Sequence, residues 1–159
     1  YYPHGNILLG VNSNGEEEKI RQQQGISLLS TILSKWSNDI DFYPLFVCEG
    51  SSKEKVNSIS KNYYLSYIYR NILPQLPKTI ICYGWSLSKN DEHILKKILK
   101  DSKINHKLLI SIRTNNKSDF QIETECTNIK NRINNINSNT EIHFFDSADE
   151  GCWLNYHRN

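Results

Sequence analysis

The fold is indicated most clearly by the stretch TIICYGWSLSKNDEHILKKIL, residues 79–99. Its first five residues form a short, continuous apolar run, as in a strand that is buried on both faces. Gly84 then turns the chain, and Ser88 offers a hydroxyl cap for a helix, with Asp91 three residues later. Apolar residues follow at helical spacing, namely Ile94, Leu95, Ile98 and Leu99. Strand, loop and helix in this order form one βα unit of a parallel sheet.

The same alternation extends over the whole chain. Further strands are predicted at 7–11, 43–48, 107–112 and 141–145, and further helices at 22–37, 51–73 and 122–136. The sequence therefore predicts a single α/β domain over residues 1–159. We expect a Rossmann-like parallel sheet with helices on both faces, in three layers, with right-handed crossovers.

Ligands of such sheets bind beyond the carboxyl ends of the strands. The loops to consider are therefore 48–52, 84–88, 113–116 and 146–150. In the first of these, the backbone N–H groups near Gly50 and Ser51 could hold a phosphate at a helix N-terminus. The alternative is a simple capped helix start, because Ser51 and Glu54 have the spacing of a capping box.

The loop Gly84-Trp85-Ser86 superficially resembles the nucleophile elbow of serine hydrolases. That motif requires Gly-x-Ser-x-Gly, and Ser88 stands where the second glycine should be. A turn that contacts a ribose or a phosphate is the better interpretation, because glycine permits close approach of the backbone to a ligand.

Composition limits the classes of function. The chain has 159 residues and no methionine, so we expect an internal or C-terminal fragment of a longer protein. The net charge is +2 and no long basic run occurs, which gives no support to nucleic-acid binding. No apolar run approaches the roughly 18–20 residues of a membrane span, so we predict a cytoplasmic protein without membrane association.

Metal binding is not predicted. The cysteines at 48, 82, 126 and 152 are isolated, and no Cys-x-x-Cys pair suggests a structural zinc site. Cys48 and Cys82 lie in apolar runs and are expected to be core residues. The consecutive residues Asp91, Glu92 and His93 point about 100° apart on a helix, so they do not converge on one ion.

Taken in order, these motifs resemble a bacterial sirtuin-like family whose relatives are the NAD-cleaving domains of antiphage defence systems. The resemblance covers essentially the whole chain. It rests on His4-Gly5, on Pro44 to Lys55, on Tyr83 to Leu95, and on Phe144 to Ala148 with Trp153. The segment Gly84 to Leu95 is its most specific part.

The resemblance implies a Rossmann-like sheet that binds NAD as a substrate, with no metal. His4 matches the catalytic histidine, which would act as a general base because its unperturbed pKa lies near the working pH. Gly84 and Ser86 match the turn along the cofactor. Asn115 is a looser match for a contact on the adenosine side, and Asp146 matches the closed adenine end.

Gly5, Gly50 and Ser51 are also predicted to line the site of the cofactor that the resemblance implies. The resemblance also implies that residues 1–159 are the C-terminal part of a larger sirtuin-like domain, because the glycine-rich pyrophosphate loop and the Asn/Asp pair expected before the histidine are not in this sequence. The fragment alone would be inactive. Since deacylases carry a four-cysteine zinc module, an NAD glycohydrolase that releases nicotinamide is the better inference.

Two alternatives remain open. One is a non-catalytic module that senses a nucleotide such as NAD or ADP-ribose, or that binds a regulatory protein or a second copy of itself. The tyrosines of the 51–73 helix exceed what one buried stripe needs; they are Tyr63, Tyr64, Tyr67 and Tyr69. A protein contact explains them, and a helix packed between the sheet and a neighbouring element explains them equally well. The other alternative is a small esterase that uses Ser86, which requires a general base within reach of that hydroxyl.

Overall fold

The computed structural model describes residues 1–39, 41–100, 105–149 and 152. The chain divides into two compact units, Tyr1–Ile72 and Leu73–Asn159, each with a three-stranded sheet. The first unit contains β1 (Gly5–Asn12), β2 (Glu17–Lys19), α1 (Leu28–Asn38), β3 (Phe42–Phe46), α2 (Ser52–Ser60) and α3 (Tyr63–Tyr67). The second contains β4 (Thr79–Cys82), α4 (Glu92–Lys100), β5 (Lys107–Ile112), α5 (Asp119–Ile136) and β6 (Glu141–Asp146). Trp153 lies outside the described residues.

The sheet of the first unit is antiparallel, which corrects the prediction of parallel strands in this half. β1 is central and pairs antiparallel with both β2 and β3. The turn between β1 and β2 is closed by the Gly15 amide, which donates to the Asn12 carbonyl at 2.9 Å. This turn reverses the chain before α1, so the connection through α1 to β3 starts from β2 and not from β1. β3 runs parallel to β2 and antiparallel to β1.

The predicted helix over 51–73 is interrupted, and the interruption has a visible cause. α2 ends at Ser60, and Asn62 is extended, with φ −119° and ψ 135°. The side chain of Asn62 does not cap α3. Instead, the Glu17 carboxylate of β2 accepts hydrogen bonds from the amides of Tyr63 and Tyr64, at 2.6 and 2.7 Å. A carboxylate from a distant strand thus starts α3, which helical periodicity cannot reveal.

The core of the first unit includes two apolar clusters. One contains Leu9, Leu45, Ile59 and Leu65, and the other Ile20, Ile32 and Phe42. α1 begins at Leu28 after its cap Ser27, later than predicted. Ile32 of its expected inward stripe is buried, whereas Leu29 and Leu33 are exposed. The stripe on α1 is therefore only partly used by the core.

The sheet of the second unit is parallel, in the order β4-β5-β6, and this confirms the βα pattern in this half. Leu108, Ile110 and Ile112 point to its buried face. α5 lies on the Phe144 side, since the Lys130 ammonium is 5.6 Å from that ring. Sequential right-handed crossovers place successive helices on the same face of a sheet. On the opposite face Ile81 is 66% exposed.

Candidate functional site

The carboxyl edge of the parallel sheet is held together by hydrogen bonds between its loops. The Gly84 amide, just after β4, donates to the Ser111 hydroxyl of β5 at 3.0 Å. The Thr114 hydroxyl, just after β5, donates to the Asp146 carboxylate of β6 at 2.5 Å. Three strand ends are therefore linked, and the structure brings the predicted residues Gly84 and Asp146 to one edge.

The loop after β4 contains two unusual backbone positions. Gly84 has φ +69°, and no heavy atom lies within 4 Å of the place where a Cβ would stand. Leu87 has φ 51° although it is not glycine, and its side chain is 2% exposed. A left-handed conformation costs such a residue about 1–2 kcal/mol, so burial of the leucine side chain holds the loop in place. Strained residues of this kind cluster at binding sites.

Asp146 is the charged group at this edge. The hydrogen bond from Thr114 lowers the pKa of its carboxyl below the ordinary value, and the bond from the Ala148 amide adds to the effect. That amide donates at 2.9 Å. Asp146 is therefore an ionised, half-buried acceptor at neutral pH. A carboxylate of this kind accepts hydrogen bonds from ribose hydroxyls in dinucleotide sites.

Asn115 lies in the turn after β5. The turn is closed by the Lys117 amide, which donates to the Thr114 carbonyl at 3.0 Å, and Asn116 has φ 63°. Asn115 is exposed. It is thus next to Thr114 in the chain, at the edge that carries Gly84 and Asp146.

Ser86 is exposed and lines a cavity of about 390 Å³ along one face of α5. The other described lining residues are Phe120, Gln121, Thr124, Glu125, Asn128, Ile129 and Arg132. No histidine is among them, and the one acid, Glu125, forms an ion pair with Lys117. The esterase hypothesis loses its support, because the described wall offers Ser86 no unpaired base.

His4 and Gly5 lie at the start of β1, in the first unit. The His4 carbonyl accepts a hydrogen bond from the Val47 amide at 2.8 Å, so this end of β1 lies beside the end of β3. Gly5 has φ +74°, and a Cβ there would stand 1.9 Å from the Leu45 carbonyl oxygen. Close contact between the two strands explains this glycine without a ligand. Its role in cofactor binding, like that of His4 in catalysis, stays a prediction.

Gly50 and Ser51 begin α2, where the predicted capping box is confirmed. The Glu54 carboxylate accepts from the Ser51 amide at 2.8 Å, and the Ser51 hydroxyl accepts from the Glu54 amide at 3.4 Å. The bond from the Ser51 amide lowers the pKa of Glu54, and the bond from the Ser51 hydroxyl lowers it further. Two amides of this helix start are thus already satisfied within the chain. A cofactor contact of Gly50 and Ser51 stays a prediction.

The profile of one protein family, described as a domain of unknown function (DUF4917), matches residues 1–153. The chain belongs to this family. No curated protein and no solved structure matches it. The family description names no activity, so the function has to be argued from the residues of the site.

The thiols divide by burial. Cys82 is buried in β4, and burial raises the pKa of its thiol to about 11, so it is protonated at neutral pH. Cys48 is exposed, which corrects its prediction as a core residue, because β3 ends at Phe46.

Within the described ranges no three metal-capable side chains form a cluster. The helices described there are also too short or too polar to cross a bilayer.

The tyrosines of α3 are divided between core and surface. Tyr64 packs against the core cluster of Leu9 and Leu45, whereas Tyr63 and Tyr67 are exposed, with their rings stacked at 6.3 Å. An open groove of about 710 Å³ runs beside these rings and is also lined by Tyr1 and Tyr2. The first unit therefore presents a surface rich in tyrosine.

Several residues of these sites were missed from the sequence. Ser111 is a polar residue between two isoleucines near the end of β5, which is a signal that could have been used. Thr114 follows two residues after that strand. Arg132 stands between the buried Ile129 and Ile133 on α5, where a cation is unusual.

Proposed function

We propose that the chain binds NAD or a nucleotide of the ADP-ribose type at the carboxyl edge of β4, β5 and β6. The observation that carries the proposal is the pair of links between the strand ends, through Gly84 with Ser111 and Thr114 with Asp146. The open space beside Gly84 lets a ligand approach the backbone. Parallel sheets bind ligands at this edge.

The negative charge of Asp146 determines which part of the nucleotide can bind beside it. An ionised carboxylate repels a phosphate and accepts hydrogen bonds from hydroxyl or amino groups. We therefore assign the ribose or the adenine amino group to Asp146. Asn115 is assigned to the same adenosine end, since its amide can both donate and accept.

The proposed reaction is hydrolysis of NAD. Water adds to C1′ of the ribose, the bond from C1′ to the nicotinamide nitrogen breaks, and its electron pair leaves with nicotinamide. The resemblance to sirtuin-like domains assigns the proton of this water to His4 as general base. The products are nicotinamide, ADP-ribose and a proton that passes to solvent.

The three-layer, Rossmann-like arrangement belongs to the same proposal. Parallel sheets are rarely exposed on one face. The face that carries the exposed Ile81 is the side on which a second helical layer would pack.

Calorimetric titration with NAD and ADP-ribose, combined with chromatographic detection of nicotinamide, tests the proposal. Asp146→Asn should weaken binding about tenfold or more, as expected for a charged hydrogen-bond acceptor. Glu123→Gln, an exposed acid on α5, is the control for loss of a negative charge. In the larger sirtuin-like protein that the resemblance implies, His4→Ala should abolish nicotinamide release while binding persists, with His143→Ala as its control. Absence of binding to the wild-type chain refutes the nucleotide site, whereas binding without release by that larger protein supports the non-catalytic alternative.

The second candidate function is self-association through the tyrosine-lined groove. The exposed, stacked rings of Tyr63 and Tyr67 favour it, because tyrosine is enriched at protein interfaces. Sedimentation of the wild-type chain should then show a dimer that Tyr63→Ser with Tyr67→Ser disrupts. Tyr43→Ser, at another exposed tyrosine, is the control. A wild-type monomer at high concentration would exclude this candidate.

A further inference from the structure

The guanidinium of Arg132 has no hydrogen-bond or ion-pair partner among the residues that the structure describes. Its side chain lines the cavity of about 390 Å³ that also contains Ser86. The Nε and Nη2 atoms are shielded from solvent and have no hydrogen-bond acceptor among the described residues. The residue as a whole is half-buried.

No acidic residue on α5 lies one turn away from Arg132 to balance its charge. The neighbours of Arg132 one turn away on α5 are Asn128, Ile129, Asn135 and Ile136, none of which is an acid. Glu125, the acid on the cavity wall, forms its ion pair with Lys117 instead. An arginine stays charged at any working pH.

Shielded guanidinium nitrogens that lack a hydrogen-bond acceptor are unfavourable for folding. Residues that cost stability in the ligand-free protein are typical of binding sites. The guanidinium of Arg132, which the described residues leave uncompensated, therefore points to a negative group that they do not supply.

We propose that this cavity binds an oxyanion, the phosphate or carboxylate of a small molecule, with Arg132 as the residue that holds its charge. The rest of the wall suits such a ligand. Ser86 supplies a hydroxyl, and Gln121 an amide whose oxygen already accepts from the Ser118 amide at 2.8 Å, which leaves its NH₂ group to donate. Phe120 and Ile129 provide apolar surface beside these donors, and the volume is that of a small-molecule site. This proposal does not depend on the role of Asp146 proposed above.

The first test is a titration of the chain with inorganic phosphate and with acetate at constant ionic strength. Binding and the shift of the melting temperature are both measured. The wild-type chain should bind one of these anions, and Arg132→Gln should weaken that binding about tenfold or more. Lys130→Gln is the matched control, since it removes the same charge from the same helix two residues away and does not line the cavity. Failure of both anions to bind, or equal binding to Arg132→Gln, overturns the proposal.

The second test separates a binding role from a structural one. Without ligand, Arg132→Gln should be as stable as the wild-type chain or more so, because it removes an uncompensated charge. A lower melting temperature for this variant would show that the guanidinium supports the fold and would overturn the argument. Arg132→Lys keeps the charge without the planar fork, so it should bind phosphate with intermediate affinity. ADP-ribose is a further probe that distinguishes the two proposals. If Asp146→Asn loses ADP-ribose binding but still binds phosphate, the oxyanion site at Arg132 is supported independently of Asp146.

Discussion

Replacement of Gly84 by alanine tests whether a ligand uses the open space at the carboxyl edge. Gly84 has φ +69°, and nothing lies within 4 Å of the place of an added Cβ. The methyl group therefore meets no protein atom, and only the left-handed backbone opposes it. If the proposed nucleotide approaches Gly84 closely, the same methyl group occupies part of its site.

The expected cost to stability follows from two opposing effects. A left-handed conformation costs alanine about 1–2 kcal/mol. The lower entropy of the unfolded alanine chain returns about 0.4–1 kcal/mol. The net loss is about 1 kcal/mol, which lowers the melting temperature of a domain of this size by about 2–4 °C.

Two other glycines provide matched controls. Gly15 and Gly25 have φ +80° and +78°, and both also have open space around the added Cβ. Their alanine variants should lose the same stability as Gly84→Ala. Calorimetric titration with ADP-ribose should show weaker binding only for Gly84→Ala, by about tenfold. Binding of Gly84→Ala at wild-type strength would refute the close approach of a ligand to this loop.

Three further predictions concern stability, pH and thiol chemistry. Glu17→Gln should lose about 1 kcal/mol in urea unfolding, since it weakens the cap on α3, whereas Glu18→Gln, which breaks an exposed ion pair, should lose about 0.5 kcal/mol or less. The lowered pKa of Asp146 adds stability that is present above its ordinary pKa of 3.8 and is lost as the pH falls through the pKa of the folded state. Between pH 7 and pH 3, the free energy of unfolding should therefore fall less for Asp146→Asn than for the wild-type chain. A thiol reagent at pH 7.5 should modify the exposed Cys48 and spare the buried Cys82, and equal rates would contradict the burial of Cys82.

The second half of the chain was predictable because its signals are local. β4, β5 and β6 are continuous apolar or alternating runs separated by clear helical repeats, and each has the expected direction. The first half was not, because its decisive contacts are distant in sequence. The short, charged β2 reverses the chain, and its Glu17 starts α3 more than 40 residues later. Hydrophobic periodicity reveals neither a short strand of three charged residues nor a helix cap that comes from another strand.

The candidate site shows the same limit in its chemistry. Glycine and serine in a turn can be recognised from sequence, and Gly84 and Asp146 do lie at one edge. The link from Thr114 to Asp146 depends on two strands being neighbours, so it appears only in the structure. The surroundings of Arg132 are likewise visible only in the structure, since a sequence shows the charge but not that the described residues give its Nε and Nη2 atoms no acceptor.

Asp146 and Arg132 carry opposite charges, so they suit different chemical groups, which belong either to one ligand or to two. Asp146 favours a neutral, hydroxyl-bearing group, whereas Arg132 favours an oxyanion. Gly84 and Ser86 are two residues apart, so one loop joins the edge that holds Asp146 to the cavity that holds Arg132. A single nucleotide that contacts both residues would make phosphate and ADP-ribose compete for the chain. Two separate sites would leave the affinity for ADP-ribose unchanged when phosphate saturates Arg132, and a competition titration distinguishes these outcomes.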